Sequence, residues 1–98
     1  MKSRTSLAGF ALTCNTNGLI LQIMHDGIGI EGLKSGISVE TLVDQGSCIK
    51  LLNFLAIMRS MGIASNWEIN FFHEGSLITL RLAGVKMKDR LLVLGART

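Results

Sequence analysis

The chain has 98 residues, of which 48% are hydrophobic and only 17% are charged. A chain of this length forms one domain, and its apolar content excludes an intrinsically disordered protein. The formal net charge of +3 is modest and aromatic residues make up 5% of the chain, whereas nucleic-acid-binding surfaces combine denser positive charge with aromatic side chains. We therefore expect a single domain over residues 1–98 that binds no nucleic acid.

Membrane and targeting signals are weak in this sequence. The longest uncharged apolar runs, such as residues 18–24 and 91–96, are far shorter than the about 20 residues that a helix needs to cross a bilayer. The basic start of the chain is like that of a signal peptide, but the apolar stretch that follows is short and no clear cleavage site ends it. The sequence predicts a cytoplasmic domain without a membrane span, with residues 1–6 as a short N-terminal extension.

Catalytic and metal-binding patterns are also missing from the sequence. Cys14 and Cys48 are too far apart for a C-x-x-C pair and are expected to be buried free thiols. The chain has no G-x-S-x-G, Walker or H-E-x-x-H motif. Residues 27–32 fit the dinucleotide pattern G-x-G-x-x-G, but no clear parallel crossover helix opens at that loop. We expect no enzyme activity and name no catalytic or metal-ligating residue.

The first predicted elements form a β-hairpin. Residues 7–14 and 19–24 are apolar runs of strand length, and Asn15-Thr16-Asn17-Gly18 between them tolerates left-handed backbone. Four glycines then fall within ten residues, at positions 27, 29, 32 and 36. Because glycine weakens regular structure through its backbone entropy, this stretch predicts a loop.

The central part of the chain predicts one main helix. Ser38 is expected to cap a short helical turn over residues 39–43, and Asp44 or Ser47 to cap a helix over residues 47–61. Gly62 follows as a left-handed C-terminal residue. One broad apolar face is predicted on this helix; it consists of Cys48, Leu51, Leu52, Leu55 and Met58.

Three strands are predicted after the helix. Residues 66–72 and 77–83 alternate apolar and polar side chains, as half-buried strands do. Residues 90–96 are apolar on both faces, with Leu91 and Val93 on one side and Leu92 and Leu94 on the other. This pattern indicates a central strand covered on both sides, the second cover coming from another segment or subunit.

The element order resembles that of Per-Arnt-Sim (PAS) sensor domains of bacterial signalling proteins. The resemblance covers residues 7–96 and is strongest in four segments: Thr41-Leu42-Val43-Asp44, Leu52-Asn53-Phe54-Leu55, Trp67-Glu68-Ile69-Asn70 and Arg90-Leu91-Leu92-Val93-Leu94-Gly95-Ala96. It implies an α+β fold in which helices pack on one face of a five-stranded antiparallel sheet, with the first and last strands adjacent at its centre.

The resemblance also implies a function. PAS domains receive a small-molecule or conformational signal for an output such as a histidine kinase or a cyclase, often as homodimers. We expect a non-catalytic sensory and dimerisation module, or alternatively a stand-alone small-ligand-binding protein. The space between helix and sheet is either a filled core or a ligand pocket; its predicted lining is Leu42, Leu52, Leu55, Arg59, Ile69, Ile78 and Leu80. The dimer contact is predicted on the outer sheet face at Leu7, Leu91 and Val93.

Cofactors are not expected. Haem-binding members of the family place a histidine on the long helix, and this helix has none, since His25 and His73 lie in a loop and a turn. Photoactive flavin members carry Asn-Cys-Arg-Phe-Leu-Gln, whereas Cys48 stands in Gly46-Ser47-Cys48-Ile49-Lys50-Leu51. Haem and a photoactive flavin are therefore both disfavoured.

Arg59 is the one charged residue on the apolar helix face, and it has two interpretations. Near the end of a helix a cation is favoured by the helix dipole and can extend its head to water. A guanidinium against an apolar wall can instead bind a carboxylate, either of a ligand or of Glu68. The sequence leaves both interpretations open.

Overall fold

The computed structural model describes residues 9–97. The elements are β1 (Gly9–Asn15), β2 (Ile20–Asp26), α1 (Cys48–Met61), β3 (Ile63–His73), β4 (Ser76–Met87) and β5 (Arg90–Arg97), with 3₁₀ turns at Val39–Leu42 and Gln45–Ser47. The strands form one antiparallel sheet in the order β2-β1-β5-β4-β3. The first and last strands are neighbours at the centre of the sheet, which confirms the predicted architecture. Within the described residues, no helix is long and apolar enough to span a membrane.

The predicted hairpin of β1 and β2 is present, and its turn explains why the chain reverses there. The Asn15 side-chain oxygen accepts hydrogen bonds from the backbone N–H groups of Asn17 and Leu19, at 2.9 and 3.0 Å. Gly18 has φ = 92°, a conformation that glycine adopts at little cost. Both strands are paired up to this turn. Residues 1–8, including the predicted dimer residue Leu7, lie outside the described part of the chain.

Helix α1 ends as predicted but begins differently. Gly62 has φ = 86° and donates its N–H to the carbonyl of Met58 at 2.9 Å, which closes the helix. The predicted side-chain caps are wrong, since neither Ser38, Asp44 nor Ser47 makes a capping hydrogen bond. The Ser47 hydroxyl instead accepts the backbone N–H of Asn70 at 3.1 Å. This serine therefore joins the start of α1 to β3.

The buried face of α1 is shifted from the predicted one. It consists of Leu51, Phe54, Leu55 and Met58. Leu52 is 44% exposed, so it was placed wrongly on the core-facing side, whereas Cys48 is half-buried and packs against the core as predicted. Phe54, which the prediction left out, packs against Trp67 with ring centroids 6.0 Å apart. Because α1 is apolar nearly all round, its hydrophobic pattern did not determine which arc would face the sheet.

The inner face of the sheet is built by alternation along each strand. Residues that point toward α1 and are at most 1% exposed are Leu12, Cys14, Ile69, Phe71, Leu80, Leu82, Leu91 and Val93. The predicted alternation in β3 and β4 is confirmed. Strand β3 begins at Ile63, earlier than predicted, because a bulge with Asn66 at φ = 70° interrupts the alternation there.

Strand β5 lies between β1 and β4 and is apolar on both faces, as predicted for a central strand. Leu91 and Val93 were predicted on the outer face, and this placement is wrong. Their side chains are 0% and 1% exposed in the core under α1, while Leu92 and Leu94 point outward. Because both faces of β5 are equally apolar, the hydrophobic pattern does not determine which face points inward. The register of β5 with β1 and β4 determines it.

Glycine at position 84 allows α1 to approach the sheet closely. A methyl group at this position would overlap the Met58 sulfur and would lie 2.7 Å from the Leu92 carbonyl oxygen. One of these neighbours is backbone, so the overlap cannot be relieved by a side-chain rotation alone. The close approach brings α1 into contact with β4.

We expect Gly84→Ala to lower the free energy of unfolding by about 1 to 3 kcal/mol, the usual cost of overpacking a close contact. Urea unfolding followed by Trp67 fluorescence measures this change. Gly46→Ala is the matched control, because its added methyl group meets only the Asp44 carboxylate at 3.4 Å. Equal effects of the two substitutions would contradict the proposed role of Gly84.

Candidate functional site

The interior between α1 and the sheet brings together five of the seven residues predicted to line a pocket. Leu42, Leu55, Ile69 and Leu80 are at most 2% exposed, and Ile78 is half-buried against them. Leu52 and Arg59 do not join this group, because both are exposed. The interior is therefore aliphatic and closed to solvent, so that a ligand reaches it only if part of its cover moves.

Aromatic side chains that were not among the predicted pocket residues complete this interior. Phe10 and Phe71 meet edge to face with ring centroids 5.6 Å apart. Phe54 on α1 packs against Trp67 on β3, and Trp67 is the only tryptophan of the chain. The alternation in β3 pointed to Trp67 and Phe71 as inward residues, but pairing them with Phe54 and Phe10 required the tertiary structure.

Arg59 has a partner that neither interpretation of the sequence foresaw. Its Nη1 donates a hydrogen bond of 2.7 Å to the backbone carbonyl of Thr16 in the β1–β2 turn. Glu68, the carboxylate suggested as its partner, lies 3.2 Å from the guanidinium of Arg81 on β4 instead. Arg59 thus fastens the C-terminal part of α1 to the first hairpin, outside the interior.

The thiols and imidazoles have distinct surroundings. Cys14 is buried in the core, and burial raises the pKa of its thiol from 9.0 to about 11, so that it stays protonated at neutral pH. His25 is exposed on β2. His73, predicted in a turn, is the last residue of β3; it is half-buried and its Nδ1 lies 3.1 Å from the carbonyl oxygen of Gly29.

Residues 27–37, which we call the strap, cover one side of the interior without forming a helix or strand. Gly29, Gly32 and Gly36 have φ between 81° and 89° and turn the backbone repeatedly. Four apolar side chains of the strap pack on the core: Ile28, Ile30, Leu33 and Ile37. The sequence predicted a loop here correctly, but the spacing of these residues between glycines was the only sign that the loop covers the core.

The strap is fastened to the end of the β3–β4 hairpin. The backbone N–H of Glu31 donates to the carbonyl of Phe72 at 3.0 Å. The Glu31 carboxylate accepts the backbone N–H of Gly75 at 3.1 Å. Together with the contact between His73 and Gly29, these bonds hold the middle of the strap against the hairpin.

The outer face of the sheet is a second apolar surface. Its exposed hydrophobic side chains include Ile63, Val85 and Leu94, with relative exposures of 63%, 36% and 46%. Three shallow concavities of about 490, 380 and 190 Å³ lie on this face, and Leu94 lines all three. Monomeric proteins rarely expose contiguous apolar surface of this kind, so the face is a candidate interface.

Comparison with known proteins identifies the fold. No family model and no curated protein matches the sequence. Among solved structures, the PAS domain of the Cronobacter turicensis RpfR quorum-sensing receptor in complex with BDSF superimposes with a TM-score of 0.78 at 13% identity, covering 99% of this chain and 98% of that one. The same domain in complex with C12:0 gives a TM-score of 0.77 at 12% identity, with the same coverage. The chain therefore has the PAS fold.

We expect Arg59→Ala to lower the free energy of unfolding by about 1 kcal/mol, because it removes one hydrogen bond at the protein surface. Thermal or urea unfolding measures this loss. Arg90→Ala is the control, since the exposed pair of Arg90 with Asp89 at 3.6 Å contributes little. If Arg59→Ala were as stable as Arg90→Ala, the bond to Thr16 would have no structural role.

Proposed function

We propose that this protein is a non-catalytic sensory module of the PAS type that binds a small acid with an acyl chain in the interior between α1 and the sheet. The observation that supports this most is the likeness in fold, over nearly the whole chain, to a receptor domain in complex with BDSF and with C12:0. The proposal requires neither haem nor flavin.

The chemistry of the interior suits such a ligand. Its described lining is aliphatic and aromatic, and its largest fully buried side chains include Phe54, Phe71, Leu12 and Ile20. Burying one methylene group contributes about 0.8 kcal/mol. A chain of ten methylenes would therefore contribute about 8 kcal/mol in total, enough to offset the separation of several weak contacts in the cover of the site.

We further propose that the module is a homodimer that pairs through the outer face of the sheet. Leu94 is at the centre of this surface because it borders all three concavities. Neighbouring strands add Ala11, Ala83 and Val85 to the same face. This face replaces the predicted contact at Leu91 and Val93, which are buried. A change in the interior can reach it directly, since each strand of the sheet carries side chains on both faces.

In this proposal the dimer passes the signal to a histidine-kinase-type or cyclase-type output in the cytoplasm. The alternative is a stand-alone carrier that uses the same interior. The two differ in whether ligand binding changes the dimer. A sensor requires different ligand affinities in its two assembly states, whereas a carrier has no such requirement.

Dodecanoate, the anion of C12:0, is the probe for the proposed interior site. We expect it to bind the wild-type protein and to change Trp67 fluorescence, because Trp67 packs on Phe54 in the interior. Ile78→Phe adds bulk to the half-buried inner wall and should weaken binding about tenfold. Isothermal titration with dodecanoate below its micelle-forming concentration measures the affinity.

Leu77→Phe is the matched control for this experiment, because Leu77 is the neighbouring residue on β4 and points away from the core with 47% exposure. Its affinity for dodecanoate should equal that of the wild type. Equal weakening by both substitutions would rule out the interior as the site, and the absence of binding to the wild type would count against the acyl ligand.

Leu94→Glu should dissociate the proposed dimer, because it places a charge at the centre of the outer face. Light scattering after size exclusion over a range of protein concentrations measures the assembly state. Ile49→Glu is the control, since Ile49 is 74% exposed on α1, away from the sheet. A wild-type monomer, or a dimer dissociated only by Ile49→Glu, would refute this interface. Repeating the measurement with dodecanoate separates sensor from carrier, since only the sensor requires a shift in the dimer equilibrium.

A further inference from the structure

We propose that the strap is an internal substitute for the ligand, with the Glu31 carboxylate in the place of the ligand's acidic head and the neighbouring apolar side chains in the place of its acyl chain. This inference depends on the proposed function. It locates the acid-binding end of the site at the tip of the β3–β4 hairpin.

The evidence for the acidic head is that the tip of the β3–β4 hairpin already binds one carboxylate, that of Glu31. A Glu31 oxygen accepts the backbone N–H of Gly75 at 3.1 Å. Close by, His73 Nδ1 lies 3.1 Å from the carbonyl oxygen of Gly29. A carbonyl oxygen can only accept, so Nδ1 carries the hydrogen. When the strap moves away, these two N–H groups lose their acceptors and become available to the carboxylate of a ligand.

The evidence for the acyl chain is the apolar surface that the strap buries beside this carboxylate. Ile30, the residue directly before Glu31, is only 5% exposed and belongs to the core. Gly32, directly after it, lies near Leu42, since a methyl group there would be 3.7 Å from Leu42 Cδ2. An acid next to buried apolar groups has the same arrangement as the head and chain of a fatty acid.

The strap is attached to β2 at both of its ends and to the β3–β4 hairpin in its middle. At its start, the Asp26 side chain accepts the N–H groups of Ile28 and Gly29 at 3.1 and 2.8 Å. At its end, the Gly36 N–H donates to Ile20 at 2.9 Å. The segment between them contacts the hairpin through the bonds of Glu31 and His73. Segments with few hydrogen bonds and no regular structure open at the lowest free-energy cost.

A strap of this kind competes with the ligand. The apparent affinity of the site is the intrinsic affinity multiplied by the fraction of molecules in which the strap is open. The Glu31 carboxylate lowers that fraction by stabilising the closed form. Removing it therefore tightens ligand binding, whereas the loss of a residue that contacts the ligand would weaken it.

The test compares dodecanoate binding to the wild type, Glu31→Ala and Glu31→Gln by isothermal titration. Glu31→Ala should bind about five to ten times more tightly, the effect of losing one hydrogen bond at the protein surface. Glu31→Gln keeps an oxygen acceptor without the charge and should fall between the two. Hydrogen exchange without ligand should be faster in the strap of Glu31→Ala and unchanged in α1.

Asp89→Ala is the matched control, because Asp89 is an acid in the turn at the other end of β4 and its side chain is 85% exposed. It should bind dodecanoate as the wild type does, and an equal gain in Asp89→Ala would assign the effect to general charge and overturn the inference. If the wild type binds dodecanoate but Glu31→Ala binds equally or more weakly, the strap is not a substitute for the ligand and the proposed function stands. If none of the four proteins binds dodecanoate, the proposed function fails and this inference fails with it.

Discussion

The pairing of β5 with β1 is the interaction on which the rest of this structure depends. It joins the two ends of the described chain over seven residue pairs, from Gly9 with Ala96 to Asn15 with Arg90. Without it the protein would be a three-stranded meander with α1 and a separate two-stranded hairpin, and an isolated hairpin is only marginally stable. With it, the inward side chains of all the central strands face α1, and Gly84 allows the helix to pack closely on them.

The same pairing produces two apolar surfaces of different kinds. The inner surface is covered by α1 and the strap and excludes solvent. The outer surface, with Leu94 at its centre, is exposed. The proposed ligand site and the proposed dimer interface therefore lie on opposite faces of one sheet, and each strand of that sheet connects the two. This arrangement gives a physical route by which an event in the interior could alter an interface outside it.

The cover of the interior differs in rigidity from one part to another. Helix α1 is regular, ends in a well-formed left-handed cap and is attached to the sheet by Ser47 and to the first hairpin by Arg59. The strap has no regular structure, and its middle is held by the contacts of Glu31 and His73. In the proposed function, the strap is therefore the part of the cover that opens to admit a ligand.

The sequence by itself determined the kinds of element and their order, because the turn residues 15–18, the glycine at 62 and the alternation in β3 and β4 are local signals. It also identified β5 as a central strand, since both of its faces are apolar. Only the tertiary structure decided which way the two-sided elements point. Leu91 and Val93 face inward and Leu52 faces solvent because strand register and helix packing select one orientation among several that the apolar pattern permits. The partners of Arg59, Glu31 and His73 were likewise undetermined, because they are backbone groups distant in sequence, and no residue pattern marks a backbone carbonyl or N–H as a partner.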